Sequence, residues 1–402
     1  MEKVFIVAAK RTPIGAFGGS LKNTSAGNLA AVAIKGALEA AKLAGDKIDE
    51  VIVGNVVGAG QGMGVGRQAA LFAGIPDTVP AYGVNMVCGS GMKTVMDAVS
   101  HIRSGDTEIV VAAGVEVMSQ IPFAAPSSIR DGNKMGNLEL KDLLVEDGLT
   151  DVYNQYHMGV TAENVAKEIG LTRQQQDEYA LSSQQKAVAA IEAGKFKDEI
   201  VPVEVKQRRE TVLFDTDEYP KANATMEALS KLRPAFDREG TVTAGNASGI
   251  NDGASAIIVA SESAVKAHGL TPIAEIVSYA QSGLDPKIMG LGPVESVNKA
   301  LAKAELTVND IDVYELNEAF AAQALGVIHQ LAETNQVPVN AIQDKANFNG
   351  GAIALGHPLG ASGNRILVTL VHELHKQNGQ YGVASLCVGG GMGTAVVIKA
   401  VK

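Results

Sequence analysis

The sequence predicts an α/β protein built from two similar halves, and three observations predict it. Short apolar runs alternate with stretches of helical spacing, the pattern of strands and helices laid in layers. One stretch recurs: ALEAAKLAGDKIDEV at 37–51 resembles ALAKAELTVNDIDVY at 300–314, each reading as a helix, a polar turn and a strand entered at Ile-Asp. NDGASAIIVAS at 251–261 likewise has the pattern of GGGMGTAVVIKA at 389–400, a glycine-rich turn entering an apolar run. The first half is the longer one, and its excess lies between about 120 and 245.

The first strands read as apolar runs at 4–9, 51–57 and 109–113, with a helix rich in Ala, Leu and Lys at 29–43. GAGQGMGVG at 58–66 lacks the spacing of a dinucleotide loop and reads as a flexible loop. The segment 120–245 changes character: IPFAAPSSIRDGNKMGN is loop-like, and polar helices follow. Thr172 and Gln175 form a capping-box pattern opening a helix that runs through Ala193. This region is expected to be an insertion within the first half that carries binding surface.

Composition narrows the function classes. The 402 residues suffice for two or three domains, and 46% hydrophobic against 19% charged residues allows a sizeable core. A net charge of −10 argues against a nucleic-acid partner, which needs a basic face, but leaves room for an anionic small ligand. Two cysteines make no disulfide framework. The opening MEKVFIVAAKRTPIG has an apolar run of five or six residues ended by Lys10 and Arg11, unlike a signal peptide. No run approaches the ~18 apolar residues of a membrane span. The expectation is a cytoplasmic protein without a membrane partner.

Four stretches carry chemistry. NMVCGSGMKTVMDAV places Cys88 between a strand and a helix whose face is Met92, Val95, Met96, Val99 and Ile102. A thiol at a helix N-terminus meets the positive end of the macrodipole, which can lower its pKa, and Gly89 and Gly91 would let a ligand approach the backbone. The alternative is a cysteine packed as a small hydrophobe. GHPLGASGNRILVTLV repeats the layout in the second half, with His357 in the turn. If the halves are duplicates, both junctions approach one cleft; an isolated loop histidine would mean nothing. In ASLCVGGGMGTAVVIKA, Cys387 ends a strand before three glycines, either an anion-binding nest or a plain turn between antiparallel strands. YELNEAFAAQAL ends a strand at Asn317, a functional side chain or a helix N-cap.

Together these stretches resemble the thiolases. RTPIGAFGG, NMVCGSG, HMGVTAENVA, LRPAFDREGTVTAGNASGINDGA, LNEAF, GHPLGASG and CVGGGMG occur in that order over nearly the whole chain. The closest resemblance is to the short-chain biosynthetic type, which condenses two acetyl-CoA into acetoacetyl-CoA and CoA. The resemblance implies two βαβαβαββ halves in five layers with an inserted loop domain, and homotetramers built as dimers of dimers. The domains would be 1–119 plus 246–270, the insertion 120–245, which would serve CoA binding and oligomerisation, and 271–402.

It also implies roles. Cys88 matches the acyl-accepting nucleophile, and His357 the residue that activates this thiol and then hydrogen-bonds a thioester oxygen. Cys387 matches the acid/base that takes the α-proton of the second acetyl-CoA. Asn317 matches the residue holding a water in one oxyanion hole, and the backbone N–H groups of Cys88 and Gly389 match the other. Around coenzyme A, His157, Met158, Ala244, Ser248 and Phe320 match the pantetheine tunnel, with Met158 and Met289 narrowing the acyl pocket. Basic residues at 206–209 and 231–233 could face the phosphates. Lys221 stands where the family often has arginine, and lysine stacks less well on an adenine ring. Coenzyme A thioesters are substrates here; neither a cofactor nor a metal is implied. A degradative 3-ketoacyl-CoA thiolase of wider chain-length range is the near alternative. A 3-ketoacyl carrier-protein synthase and a redox-responsive pair of cysteines are more distant ones.

Overall fold

The computed structural model describes residues 2–207 and 209–402; Arg208, within the basic stretch considered for the phosphates, lies outside the described residues. In chain order the main strands are β1 Val4–Arg11, β2 Glu50–Gly54, β3 Ala81–Val84, β4 Ile109–Val117 and β5 Asn251–Ser261. The second set is β6 Ala274–Gly283, β7 Val313–Leu316, β8 Tyr381–Val388 and β9 Met392–Ala400. The helices that matter here are α1 Ala26–Ala41, α2 Ser90–Ser104, α3 Met158–Ile169, α4 Arg173–Glu192, α5 Gly292–Lys303, α6 Ala321–Thr334 and α7 Leu359–Lys376.

The strand order is β3-β2-β4-β5-β1, continued by β6-β9-β8-β7. β5 runs antiparallel to β4 and β1, and β9 runs antiparallel to β8 and β6. A parallel bridge from Tyr314 to Ala346 stands in the second half where β3 stands in the first. Each half thus has the same order, and the repeated sequences occupy equivalent places. Two residue pairs, Phe5 with Glu275 and Ile6 with Ala274, join the halves along β1 and β6.

Side-chain alternation explains the layering, because successive strand residues point to opposite faces. Val51, Val53, Val111, Ala113 and Ile258 face α1. Their neighbours Ile52, Val110, Ala112, Ile257 and Val259 face the other way, against Met92, Met96, Val99, Ile366, Leu370 and Leu374 of α2 and α7. Val396 and Ile398 meet the same two helices from the second half. Ala395 and Val397 point outward to Val297, Leu301, Val327 and Ile328 of α5 and α6. Five layers result: helix, sheet, helix, sheet, helix. Covered on both faces, β4 and β5 are buried along their whole length.

Three local expectations meet corrections. The strand expected at 51–57 ends at Gly54, because Val56 and Val57 turn their N–H groups onto the Glu116 carboxylate at 3.0 and 3.2 Å. NDGASAIIVAS contains no turn: its first residues are already paired, Asn251 with Ala16 and Asp252 with Val117. Gly91 does not admit a ligand. A Cβ there would lie 2.7 Å from Gly360 O, and one at Gly363 would lie 2.7 Å from Met92 N. These glycines let the first turns of α2 and α7 cross backbone to backbone, which brings the two chemical junctions together. The capping box of Thr172 and Gln175 does open α4, and Ala193 ends it. Among the described residues no helix is long and apolar enough to cross a membrane.

Candidate active site

Cys88 is presented by a sharp turn. Val87 sits at φ 47, a conformation a β-branched residue rarely adopts. The turn is held by Ser90, whose hydroxyl donates to Val87 O at 2.6 Å and accepts from Met86 N–H at 2.8 Å. Asn85 Oδ1 accepts from Val87 N–H at 3.0 Å. Across the site, β8 and β9 form an antiparallel hairpin closed by Gly389–Gly391, with Gly390 and Gly391 at φ 88. Cys387 sits at the end of β8, so the turn between strands and the chemical site are the same structure. The Gly389 N–H points at the Cys88 sulfur.

These groups share a cavity of about 400 Å³ lined by Cys88, His357 and Cys387. His157, Met158, Ala244, Ser248, Met289 and Phe320 line it as well. Lys221 is not part of the lining; its ammonium lies 5.8 Å from the ring of Tyr219, which is. Asn317 is buried beside this wall, two residues before Ala319, and neither atom of its carboxamide has a partner. It is not the cap of α6, a position held by Phe320. Buried amides are ordinarily hydrogen-bonded, so this one stands out.

The walls come from residues 148–250 and from both chemical junctions, with Met289 and Phe320 closing them from the second half. His157 caps α3, its Nδ1 accepting from Gly159 N–H at 3.0 Å. Its ring stacks on Phe236 at 4.6 Å, and Phe236 meets Phe320 edge-on at 6.2 Å. Gly159 permits this, since a Cβ there would lie 2.2 Å from the Phe236 ring. The RTPIG stretch holds the Tyr219 wall: Arg11 pairs with Asp217 at 2.8 Å and Glu199 at 2.6 Å, and Asp217 accepts from Ile14 N–H at 2.7 Å.

Electrostatics favour neutral groups in the cavity. Burial pushes the Cys88 thiol up to about 11, against the Gly389 N–H and its own N–H, while the Glu116 charge adds to the rise. The lowering expected of a helix N-terminus is therefore outweighed by loss of water, although the side chain keeps partial exposure to the cavity. Burial pushes Cys387 higher still, and the neighbouring Cys88 adds to it. Burial, then the Arg365 charge, hold His357 down at about 4. Its Nδ1 lies 2.6 Å from Ser362 Oγ, its Nε2 has no partner, and its backbone N–H donates to Asn251 Oδ1 at 3.1 Å.

Sequence reasoning missed Tyr219, Phe236, Asn251 and Glu116. Phe236 and Asn251 lie within the LRPAF and GNASGIND stretches, but nothing local marks them. Glu116 gathers N–H donors from Asn55, Val56, Val57 and Gly360, tying the loop after β2 to the first turn of α7. Burial raises its carboxyl to about 7. Only the fold shows what these side chains reach.

Comparison with known proteins agrees with this architecture. The thiolase N-terminal domain matches residues 4–263 and the thiolase C-terminal domain residues 270–400. The acetyl-CoA acetyltransferase of Cupriavidus necator is 54% identical over 99% of this chain and 100% of its own. The crystal structure of Bacillus anthracis acetyl-CoA acetyltransferase superposes with a TM-score of 0.95 at 44% identity, covering 100% of this chain and 99% of that one. Human mitochondrial 3-ketoacyl-CoA thiolase in complex with CoA superposes at 0.93 with 46% identity, covering 100% and 98%. With both domains matched in order and likeness running end to end, the chain belongs to the thiolase family.

Proposed function

We propose that this enzyme is an acetyl-CoA C-acetyltransferase, joining two acetyl-CoA into acetoacetyl-CoA and CoA in a reversible Claisen condensation. The observation that carries the reading is the meeting of two thiols and the free imidazole nitrogen of His357 around one apolar cavity, with the buried Asn317 carboxamide two residues from the lining Ala319. Full-length relatives named acetyl-CoA acetyltransferase support it.

His357 takes the Cys88 proton, and the thiolate attacks the acetyl thioester carbon. The departing CoA thiolate takes the Cys387 proton, leaving acetyl-Cys88, an imidazolium and a Cys387 thiolate. The thiolate removes an α-proton from the second acetyl-CoA. Burial that raises its pKa makes it the strong base this weakly acidic C–H needs. The enolate oxygen is held by His357 and by a water on Asn317. The enolate carbon attacks the acetyl-Cys88 carbonyl, whose oxygen is held by the N–H groups of Cys88 and Gly389. Cys88 leaves as a thiolate and recovers its proton from His357. His157, Met158, Ala244, Ser248 and Phe320 would line the route for pantetheine, Met289 and Met158 would limit the acyl end, and Lys221, beside Tyr219, would meet the nucleotide.

Thiolysis of a series of 3-ketoacyl-CoAs tests the reading. The four-carbon substrate is expected to react fastest; faster cleavage of longer chains would move the enzyme to the degradative class.

In this reading the chain divides into 1–119 plus 246–270, 120–245 and 271–402, works in the cytoplasm and assembles as a homotetramer. The tetramer is supported by β3, whose outer edge pairs with nothing among the described residues, and by exposed Phe123, Met135, Leu140 and Tyr153 in the inserted region. Light scattering in solution is expected to give four chains; a monomer at micromolar concentration would refute it.

A further inference from the structure

We propose that Ser362 is a positioning residue: its hydroxyl accepts the Nδ1–H of His357 and so leaves Nε2 as the bare base in the cavity. The inference rests on the role proposed above for His357.

The proton count carries it. Ser362 Oγ lies 2.9 Å from Pro358 O and 2.6 Å from His357 Nδ1. A carbonyl oxygen only accepts, and a hydroxyl has one proton to give. Pro358 O also accepts from the N–H groups of Ala361 and Ser362 at 3.0 and 2.9 Å, but two oxygens 2.9 Å apart repel unless a proton lies between them, and only the hydroxyl has one; Ser362 then meets the imidazole with a lone pair, and Nδ1 is the donor. A neutral imidazole has one N–H, so Nε2 carries none. Nε2 is also the ring atom that has no partner among the described residues.

The ring has little freedom to do otherwise. His357 N–H is anchored on Asn251 Oδ1 at 3.1 Å, and Asn251 in turn donates to Gly15 O at 3.0 Å. Gly356, at φ 108, packs so closely that a Cβ would lie 2.4 Å from the Asn251 carboxamide carbon. Backbone and ring are thus held from opposite sides.

The hydrogen bond matters most when the ring is charged. Burial and Arg365 both oppose an imidazolium at this place. Once Nε2 has taken the Cys88 proton, Nδ1–H becomes a cationic donor and its bond to Ser362 strengthens. Ser362 therefore stabilises the thiolate–imidazolium pair more than the resting pair.

The test follows alkylation of Cys88 by iodoacetamide against pH, read by peptide mass spectrometry, in the full-length enzyme and its Ser362→Ala and His357→Asn variants. Thiolysis kcat and KM and the melting temperature are measured alongside. Ser362→Ala is expected to raise the half-maximal pH of alkylation by about one unit and lower kcat about tenfold, with KM unchanged. A merely structural serine would lower the melting temperature and leave that pH and kcat where they are, which overturns the proposal. If His357→Asn shifts alkylation and Ser362→Ala does not, Ser362 alone loses its role. If His357→Asn changes nothing, the role of His357 falls and takes this inference with it.

Discussion

Cys88→Ser is expected to leave a folded protein that forms no acetyl-enzyme. The exchange is nearly isosteric, so the turn held by Ser90 and Asn85 keeps its hydrogen bonds. What changes is acidity. In this cavity even the thiol is pushed up to about 11, and an alcohol starts far above any thiol. His357, held down at about 4, is too weak a base to ionise a hydroxyl under the same apolar walls. An alkoxide would also be a poor leaving group in the step that releases acetoacetyl-CoA. Turnover should fall on the order of 10⁴-fold or more. Intact-mass measurement after incubation with acetyl-CoA checks it, and a normal acetyl adduct would refute the nucleophile assignment.

Cys387→Ala is expected to divide the reaction in two. The variant should still take an acetyl group on Cys88, because His357 and the Gly389 N–H remain. It should fail to condense, because nothing else in the cavity supplies a base for the α-proton. Among the lining residues the other titratable groups are Cys88, His157, His357 and Tyr219. Cys88 is then acylated, His357 is occupied at the enolate oxygen, burial holds His157 as a weaker base, and burial keeps Tyr219 a neutral phenol. The expected loss in condensation is on the order of 10²–10⁴-fold. Deuterium exchange at the acetyl-CoA methyl group should vanish with it. Unchanged condensation, or exchange at the normal rate, would remove Cys387 from the role of base.

Much of the site was legible before the fold was known, because its groups sit at junctions that sequence marks well. A turn with a cysteine or histidine among glycines is a local signal, and it located Cys88, His357 and Cys387. What those glycines do was not legible. Gly91 read as room for a ligand beside the backbone, yet it and Gly363 serve a backbone crossing between two helices far apart in the chain. Asn317 read equally well as a cap, until Phe320 proved to be the residue that starts the helix.

The sequence by itself determined the α/β alternation, the repeated half and the capping box of α4, because each depends on residues within a turn or two of one another. It also determined the family, through ordered motifs that span the chain. Tertiary structure alone decided how charge behaves. The dipole argument for Cys88 is local and points one way; burial under segments distant in the chain points the other and is larger. It alone decided that Glu116, Asn251, Ser362 and Phe236 belong to the site. Their partners lie on distant segments, and desolvation and hydrogen bonding act through space rather than along the chain.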